Sequence, residues 1–328
     1  MNALSRPKFG LVIPQGWRWL DYNSTSAIKQ YCFSKKIIQL ADILGYNSAY
    51  AYDHLWGGAI FKANRNKNFF ECFTLLSSLL TITNKIRIGQ IVTCNSYRNP
   101  ALVAKMISTM DIISNGRIEL GIGAGWYKDE YLAYGYDYPA TYIRINQLNE
   151  ALNIIKLLWK QQTSTFSGEY YSIKDAVCNP KPIQIPHPPI MIGGTGEKHL
   201  LRTVARHADR YNHPFASPVD IRRRLYILKE HCDTIGRNYL DIERSVVIRC
   251  LIGESEEEIN HEIAKAKTKN ESTDAFKERL SAIVGTPEEV TSKLNKYIDL
   301  GIMHFILYFI GLNEKSLKLF NSKIIKKI

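Results

Sequence analysis

The sequence predicts an α/β protein that folds as one (β/α)8 barrel, a TIM barrel, over residues 1–328. Short runs of β-branched residues alternate with long amphipathic stretches, which is typical of successive βα units on a parallel sheet. Eight strand-like runs occur, nearly all followed by a helical stretch, and no linker or composition break divides the chain. Such barrels reach about 250 residues or more as one unit, so the length fits a single domain. A doubly wound parallel sheet is the alternative.

The first half of the chain supplies four predicted strands. Gly45 ends the first helix, and Pro100 lies in the first turn of a later one, where its missing N–H costs nothing. The predicted strands are residues 8–14, 47–53, 86–94 and 117–125, and the helices between them are residues 28–44, 71–84 and 99–114.

The second half begins with the clearest helical stripe, at residues 141–161, where apolar residues recur at intervals of three and four. This stripe consists of Ile145, Leu148, Leu152, Ile155 and Trp159. A proline-rich insertion follows this fourth helix, with a hairpin-like segment at residues 165–173. Further strands are predicted at residues 189–194, 210–214, 243–253 and 302–309, with helices at 197–207, 218–235 and 255–300 and one closing the chain.

Composition and charge exclude several functional classes. The net charge of +12 comes from scattered basic residues without a nucleic-acid-binding signature, so we expect solvated helix faces and a field that attracts small anionic ligands. The six cysteines have no C-x-x-C spacing and the eight histidines no metal-binding spacing, so we predict reduced cysteines and no metal site. No apolar run reaches the roughly 20 residues that cross a bilayer, and no signal peptide is recognisable, so we expect a cytoplasmic protein.

Alternate glycines mark the fourth predicted strand, in the segment RIELGIGAGW. A dinucleotide-binding loop requires G-x-G-x-x-G leading directly into a helix, and this segment lacks both the third glycine and the helix. On a strand, Glu119, Gly121, Gly123 and Gly125 share one face, which we place toward the barrel interior. The glycines either let a flat ring approach the backbone or make room for bulky neighbours such as Trp126.

Two other strand ends carry candidate chemistry, because barrel enzymes place their active sites on the loops after the strands. Asp53 and His54 end the second strand, either as a turn or as a proton-transfer histidine with a carboxylate that orients it. Gly193, Gly194, Thr195 and Gly196 end the fifth strand, before a helix predicted from Glu197. This segment is either an anion site for a phosphate group or a plain glycine-rich turn.

Together these stretches resemble the bacterial luciferase-like flavin and deazaflavin oxidoreductases. The resemblance is carried, in the family's order and spacing, by AYDHLW (51–56), IRIGQIVTCNSYRNPALVAK (86–105), MISTMDIISNGRIELGIGAGWYKDEYLAYG (106–135), RINQLNEALNIIKLLW (144–159) and PPIMIGGTGEKHLLRTVARHADRYN (188–212). It implies a barrel, commonly dimeric, that holds coenzyme F420 or FMN at the carboxyl ends of the strands.

The resemblance also implies roles for individual residues. His54 lies over the reactive carbon of the cofactor, with Asp53 beside it. A non-proline cis peptide at Gln90–Ile91 presses on the ring, Thr93 contacts it, and the backbone of Gly123, Ala124 and Gly125 flanks it. Thr195 and Gly196, after Gly193 and Gly194, hold the phosphate. Cys94 departs from the usual proline or threonine at its position, which leaves the local backbone geometry open.

The sequence favours F420 as the cofactor. FMN-dependent members often carry a phosphate-binding arginine where this chain has Ala124, and the positive charge suits the polyglutamate tail of F420. The predicted function is hydride transfer between F420 and a small organic substrate in a homodimer. The alternatives are an FMN-dependent monooxygenase supplied with reduced flavin by a partner reductase, and a non-catalytic cofactor-binding barrel. Trp17, Trp19, Trp56 and Trp126 predict apolar walls for the substrate pocket.

Overall fold

The strands of the protein close into a parallel barrel in a computed structural model. The structure describes residues 6–16, 26–57, 67–267, 271–280 and 283–328, so Trp17 and Trp19 lie outside the described residues. The strands are β1 (Lys8–Val12), β2 (Ser48–Ala51), β3 (Arg87–Gln90), β4 (Thr93–Cys94), β5 (Ile118–Gly123), β6 (Ser164–Ser167), β7 (Ser172–Ala176), β8 (Ile190–Gly193), β9 (Arg210–Pro214), β10 (Glu243–Ile252), β11 (Ile283–Gly285) and β12 (His304–Phe309). The helices are α1 (Ala27–Leu44), α2 (Cys72–Leu80), α3 (Pro100–Ser114), α4 (Lys128–Ala133), α5 (Thr141–Lys160), α6 (Leu200–His207), α7 (Pro218–Thr234), α8 (Glu256–Ala266), α9 (Thr273–Leu280), α10 (Pro287–Ile298) and α11 (Glu314–Phe320).

Ring closure distinguishes this fold from a doubly wound sheet. The order of strands around the ring is β1, β2, β3, β5, β8, β9, β10 and β12, and β12 pairs in parallel with β1. The short β4 follows β3 in the chain and also pairs with β5, so β3 and β4 together occupy one of the eight positions in the ring. β11 is an additional strand beside β10. The predicted (β/α)8 barrel is therefore confirmed, and the open-sheet alternative is wrong.

Local sequence signals begin and end the helices where physical chemistry predicts. Gly45 ends α1 in the left-handed conformation, with φ of 83°. The side chain of Asn99 accepts a hydrogen bond from the N–H of Ala101 and so caps α3, with Pro100 in the first turn. Ser217 caps α7 in the same way.

The apolar stripe of α5 is buried as its spacing predicts, since its five members are at most 6% exposed. Trp159 also donates an indole hydrogen bond to the carbonyl of Ala104, which joins α5 to α3. The segment after α5 forms a separate antiparallel hairpin of β6 and β7, as predicted for the insertion. None of the helices in the described ranges is long and apolar enough to span a membrane.

A buried ionic cluster occupies the barrel interior below the strand ends. Glu119 of β5 accepts a hydrogen bond from Tyr50 of β2 at 2.7 Å and forms ion pairs with Arg210 of β9 and Arg87 of β3. β2 and β9 are each two positions from β5, so Glu119 reaches them only across the interior. Burial raises the pKa of Glu119, but the two guanidinium groups outweigh it and lower the pKa to about 2. The predicted inward face of this strand is therefore confirmed.

Two element boundaries differ from the sequence prediction. The helix predicted from Glu197 begins at Leu200, because residues 197–199 form a turn and Leu201 bonds back to the carbonyl of Gly196. The stretch from 255 to 300, for which only helices were predicted, also contains the strand β11, which pairs with the end of the long strand β10. Neither change alters the ring of eight strand positions.

Candidate active site

The candidate residues from the sequence lie on one half of the barrel mouth. They follow β2, β3 with β4, β5 and β8, which are four consecutive positions around the ring. Because all these strands run in parallel, their carboxyl ends meet on one side. The chain thus assembles residues far apart in sequence into one surface.

His54 is nearly buried and bonds to a carboxylate that the sequence did not single out. Its Nδ1 lies 2.8 Å from Oε2 of Glu130, on the short helix α4. Glu130 is fully buried, and it also accepts hydrogen bonds from the hydroxyl of Tyr97 at 2.7 Å and from the N–H groups of Leu55 and Trp56 at 2.7 and 3.3 Å. The group that orients the imidazole by a hydrogen bond is therefore Glu130.

Asp53 has other partners, although it precedes His54 directly. Its carboxylate binds both terminal nitrogens of Arg98, at 2.7 and 3.0 Å, and accepts a hydrogen bond from the N–H of Cys94 at 2.9 Å. Adjacent residues of an extended chain point in opposite directions, which separates Asp53 from the imidazole's partner. The carboxylate of Asp53, which we expected to orient His54, instead links the ends of β2 and β4.

The cis peptide bond lies one residue later than the resemblance implied. It joins Ile91 and Val92, not Gln90 and Ile91. Gln90 still pairs with Ala51 of β2, and the N–H of Ile91 still bonds to the Ala51 carbonyl, so the chain leaves the ladder only after Ile91. Thr93 then returns to the sheet beside Ile122.

The alternate glycines of β5 make room for the segment between β3 and β4, which contains the cis peptide bond. A Cβ atom on Gly121 would lie 1.8 Å from the carbonyl oxygen of Gln90. On Gly123 and Gly193, a Cβ atom would lie 2.8 and 2.9 Å from the side chain of Val92. Val92 therefore lies between two glycines of the neighbouring strands, so the bulky neighbour that they accommodate is Val92 and not Trp126. Ala124 and Gly125 follow at the rim, where both are partly exposed.

Backbone N–H groups line the loop after β8. Within the described ranges, the N–H groups of Thr195, Gly196 and Glu197 donate no hydrogen bond to the protein. Thr195 and Gly196 are exposed, and the Glu197 carboxylate pairs with Arg223 at 2.6 Å. That ion pair offsets the negative charge next to the loop. These N–H groups can bind an anion although the helix begins three residues later than expected.

Buried polar atoms indicate that the site fits a polar planar cofactor. Nε2 of Gln90 and Oγ1 of Thr93 are buried without a hydrogen-bond partner among the residues that the structure describes. A buried polar group without a partner costs about 1–3 kcal/mol, so a cofactor that bonded to these two atoms would remove this cost. Together with the N–H groups at residues 195–197, they supply donors for a ring and for a phosphate group.

Aromatic side chains surround His54 on its outer side. The rings of Trp126 and Tyr127 meet the imidazole edge to face, with centroids at 6.0 and 6.3 Å. Trp56 lies 6.3 Å from Tyr127 and 5.8 Å from Tyr134. Trp126 is 57% exposed, so one face is accessible to a substrate. This arrangement agrees with the apolar wall predicted for Trp56 and Trp126.

Comparisons with known proteins give a consistent result. The family model described as luciferase-like monooxygenase matches residues 18–304. Pyrimidine monooxygenase RutA of Acinetobacter baylyi is 30% identical over 281 residues, which are 81% of this chain and 71% of that protein. An F420-dependent glucose-6-phosphate dehydrogenase of Amycolatopsis mediterranei is 25% identical over 274 residues, which are 75% of this chain and 80% of the relative.

A solved structure with the same fold covers almost the whole chain. An F420-dependent secondary alcohol dehydrogenase, solved with an F420-acetone adduct, superposes with a TM-score of 0.80 at 18% identity and covers 98% of both chains. At this identity the similarity supports the barrel fold alone.

Proposed function

Because the chain belongs to the luciferase-like monooxygenase family, we propose that it is an oxidoreductase that transfers a hydride between coenzyme F420 and a small organic substrate. The family contains both F420-dependent dehydrogenases and monooxygenases. The observation that carries the proposal is the position of His54, after the end of β2 and held by a buried carboxylate, while the neighbouring β3 is followed by the Ile91–Val92 cis peptide bond.

The family resemblance, together with the positions of the strand ends, supports one set of residues that would hold the cofactor. Gln90, Ile91 and Thr93 would lie beneath the ring and offer their polar atoms to its edge. Gly123, Ala124 and Gly125 would flank it. Gly193 and Gly194 would lead from β8 into the phosphate loop, where the backbone N–H groups of Thr195 and Gly196 would hold the phosphate. The bound cofactor supplies the hydride chemistry, and the protein orients it and manages the proton.

His54 is the proposed acid or base. With Nδ1 bonded to Glu130, its other ring nitrogen is the one that can give a proton to the substrate or take one from it. The aromatic rings beside the imidazole favour an apolar substrate surface. In this proposal Asp53 does not contact the substrate; it fixes the backbone from which the side chain of His54 projects.

Two features support F420 over FMN. Ala124 stands where an arginine binds the FMN phosphate in many relatives, and the net charge of +12 suits a polyanionic tail. The competing function is an FMN-dependent monooxygenase that receives reduced flavin from a reductase. Its support is the 30% identity to a pyrimidine monooxygenase, which exceeds the 25% identity to the F420-dependent dehydrogenase.

Cofactor titration decides between the two. The purified protein is titrated with oxidised F420, reduced F420 and FMN, while cofactor fluorescence and absorbance are recorded. We expect saturable binding of F420 and at least about tenfold weaker binding of FMN, a difference of about 1.4 kcal/mol. Tight binding of FMN without binding of F420 would end the F420 proposal. Oxygen uptake with reduced FMN would then establish the monooxygenase.

We further propose that the protein is a homodimer, as the family resemblance implies. Sedimentation equilibrium at micromolar concentration tests this, with twice the chain mass of 37.6 kDa as the expected result. A mass of one chain at that concentration contradicts it.

A further inference from the structure

The carboxylate of Glu130 is saturated by four hydrogen bonds from two strand ends. Oε1 accepts from the N–H groups of Leu55 and Trp56, and Oε2 accepts from Tyr97 and His54. The donors belong to the segments that follow β2 and β4, and Glu130 reaches both from α4. Such a full set of donors around a buried carboxylate fixes its position and leaves no acceptor site for water.

The surroundings keep this carboxylate ionised. Burial alone would raise the pKa of Glu130, but hydrogen bonds from His54, from the N–H of Leu55 and from Tyr97 outweigh it, so the pKa lies below its ordinary value. An ionised carboxylate only accepts hydrogen bonds. The nitrogen 2.8 Å from Oε2 must therefore carry a proton.

We propose that Glu130 is the positioning residue of the site, which holds neutral His54 with its proton on Nδ1 and so makes Nε2 the basic nitrogen of the ring. The two backbone donors fix the rotation of the carboxylate, and Tyr97 shares the oxygen that faces the imidazole. Glu130 forms this hydrogen bond to His54 without any bound cofactor. Its consequence for turnover rests on the proposed function.

The variant Glu130→Gln gives a sharp test, because the same backbone donors dictate how the amide is oriented. Leu55 and Trp56 require the amide oxygen at the Oε1 position, which places the NH₂ group opposite His54. An NH₂ group donates, so Nδ1 must then accept and the proton must move to Nε2. The substitution should therefore invert the tautomer of His54 while the volume of the side chain stays nearly the same.

The measurement is a two-bond ¹H–¹⁵N correlation spectrum of cofactor-free protein labelled with ¹⁵N-histidine, recorded at alkaline pH. His54→Gln identifies the resonances of His54 among those of the eight histidines. We expect a preference of about tenfold or more for the Nδ1–H form in the wild type, the weight of one charge-assisted hydrogen bond, and the Nε2–H form in Glu130→Gln.

Two controls separate positioning from general structural damage. Glu150 accepts three backbone hydrogen bonds in the hairpin turn, from Glu169, Tyr170 and Tyr171, so Glu150→Gln is the same change elsewhere and should leave the His54 spectrum unchanged. Tyr97→Phe keeps the charged acceptor and should retain the Nδ1–H form.

Either of two results overturns the proposal. One is a wild-type spectrum dominated by the Nε2–H form, which needs no variant at all. The other is an unchanged Nδ1–H form in folded Glu130→Gln. A protein that fails to bind F420 but shows the expected tautomers would refute the proposed function and leave the role of Glu130 intact.

Discussion

Asp53 and Arg98 form a two-bond ion pair directly behind the candidate catalytic histidine, at 2.7 and 3.0 Å. Arg98 also binds Glu71 at 2.7 Å and lies over the ring of Phe73 at 4.4 Å. The pair therefore fastens the segment after β2 to the one after β4 and to the start of α2. His54 is the next residue after Asp53, so this fastening fixes the backbone from which the imidazole projects.

Arg98→Met should destabilise the protein strongly, because it leaves the carboxylate of Asp53 buried without its cation. We expect a loss of about 3–5 kcal/mol in the free energy of unfolding, measured by urea denaturation. In the double variant Asp53→Asn/Arg98→Met the uncompensated charge is gone, so the loss should be smaller than in Arg98→Met alone. Asp53→Asn alone completes the comparison. If the losses of the two single variants add up to that of the double variant, the two side chains act independently.

Gly121→Ala should prevent folding or cost about 3 kcal/mol or more, because the new methyl group would lie 1.8 Å from the carbonyl oxygen of Gln90. Backbone on both sides is held in the barrel ladder, so neither atom can move away cheaply. Gly135→Ala is the control, since its Cβ atom would meet nothing within 4 Å and the cost is only that of a positive φ of 75°, about 1 kcal/mol. Equal urea midpoints for the two variants would contradict the close packing of β5 against the end of β3.

The parts of the fold that depend on neighbours in sequence could be predicted. The apolar stripe of α5, the glycine end of α1 and the capped start of α3 all follow from residues within one or two helical turns. The position of His54 followed from the rule that barrel chemistry lies at strand ends. The alternation along β5 correctly placed Glu119 in the interior.

The partners of these residues depend on contacts across the barrel, which local patterns do not encode. Glu130 lies 76 positions from His54, and nothing in the sequence distinguishes it from Asp129. Its one available signal is that an acidic residue follows a strand at the catalytic end. Likewise, the neighbour for which Gly123 makes room is Val92, about thirty residues earlier in the chain.

Thr195→Asp should weaken cofactor binding at least tenfold, about 1.4 kcal/mol, because it adds a negative charge beside the N–H groups proposed to hold the phosphate. Thr195 is exposed, so the fold should be unaffected. Thr163→Asp adds the same charge at an exposed position before the hairpin, and this variant should bind the cofactor with wild-type affinity. The readout is the fluorescence titration used for the wild type. Unchanged affinity in Thr195→Asp would move the phosphate site away from this loop.

His213 should make the protein less stable as the pH falls. The ring is fully buried against Tyr211, with centroids at 4.2 Å, and neither nitrogen has a hydrogen-bond partner within the described ranges. Burial, with a smaller effect of the nearby Arg224, lowers the pKa of His213 to about 3. In the unfolded chain a histidine titrates near 6.5, so between these two values the unfolded state binds the additional proton.

Stability from this residue is therefore complete above about pH 6.5 and is lost as the pH falls toward 3, at up to about 1.4 kcal/mol per pH unit. His213→Gln should flatten the plot of unfolding free energy against pH between about pH 4.5 and 6, whatever its effect on stability at neutral pH. His261 is exposed on α8, so His261→Gln should show the same slope of unfolding free energy against pH as the wild type. Urea denaturation at several pH values measures all three proteins. If His213→Gln kept the wild-type slope, the buried ring would have to accept its proton without cost, which is incompatible with its apolar, unpartnered surroundings.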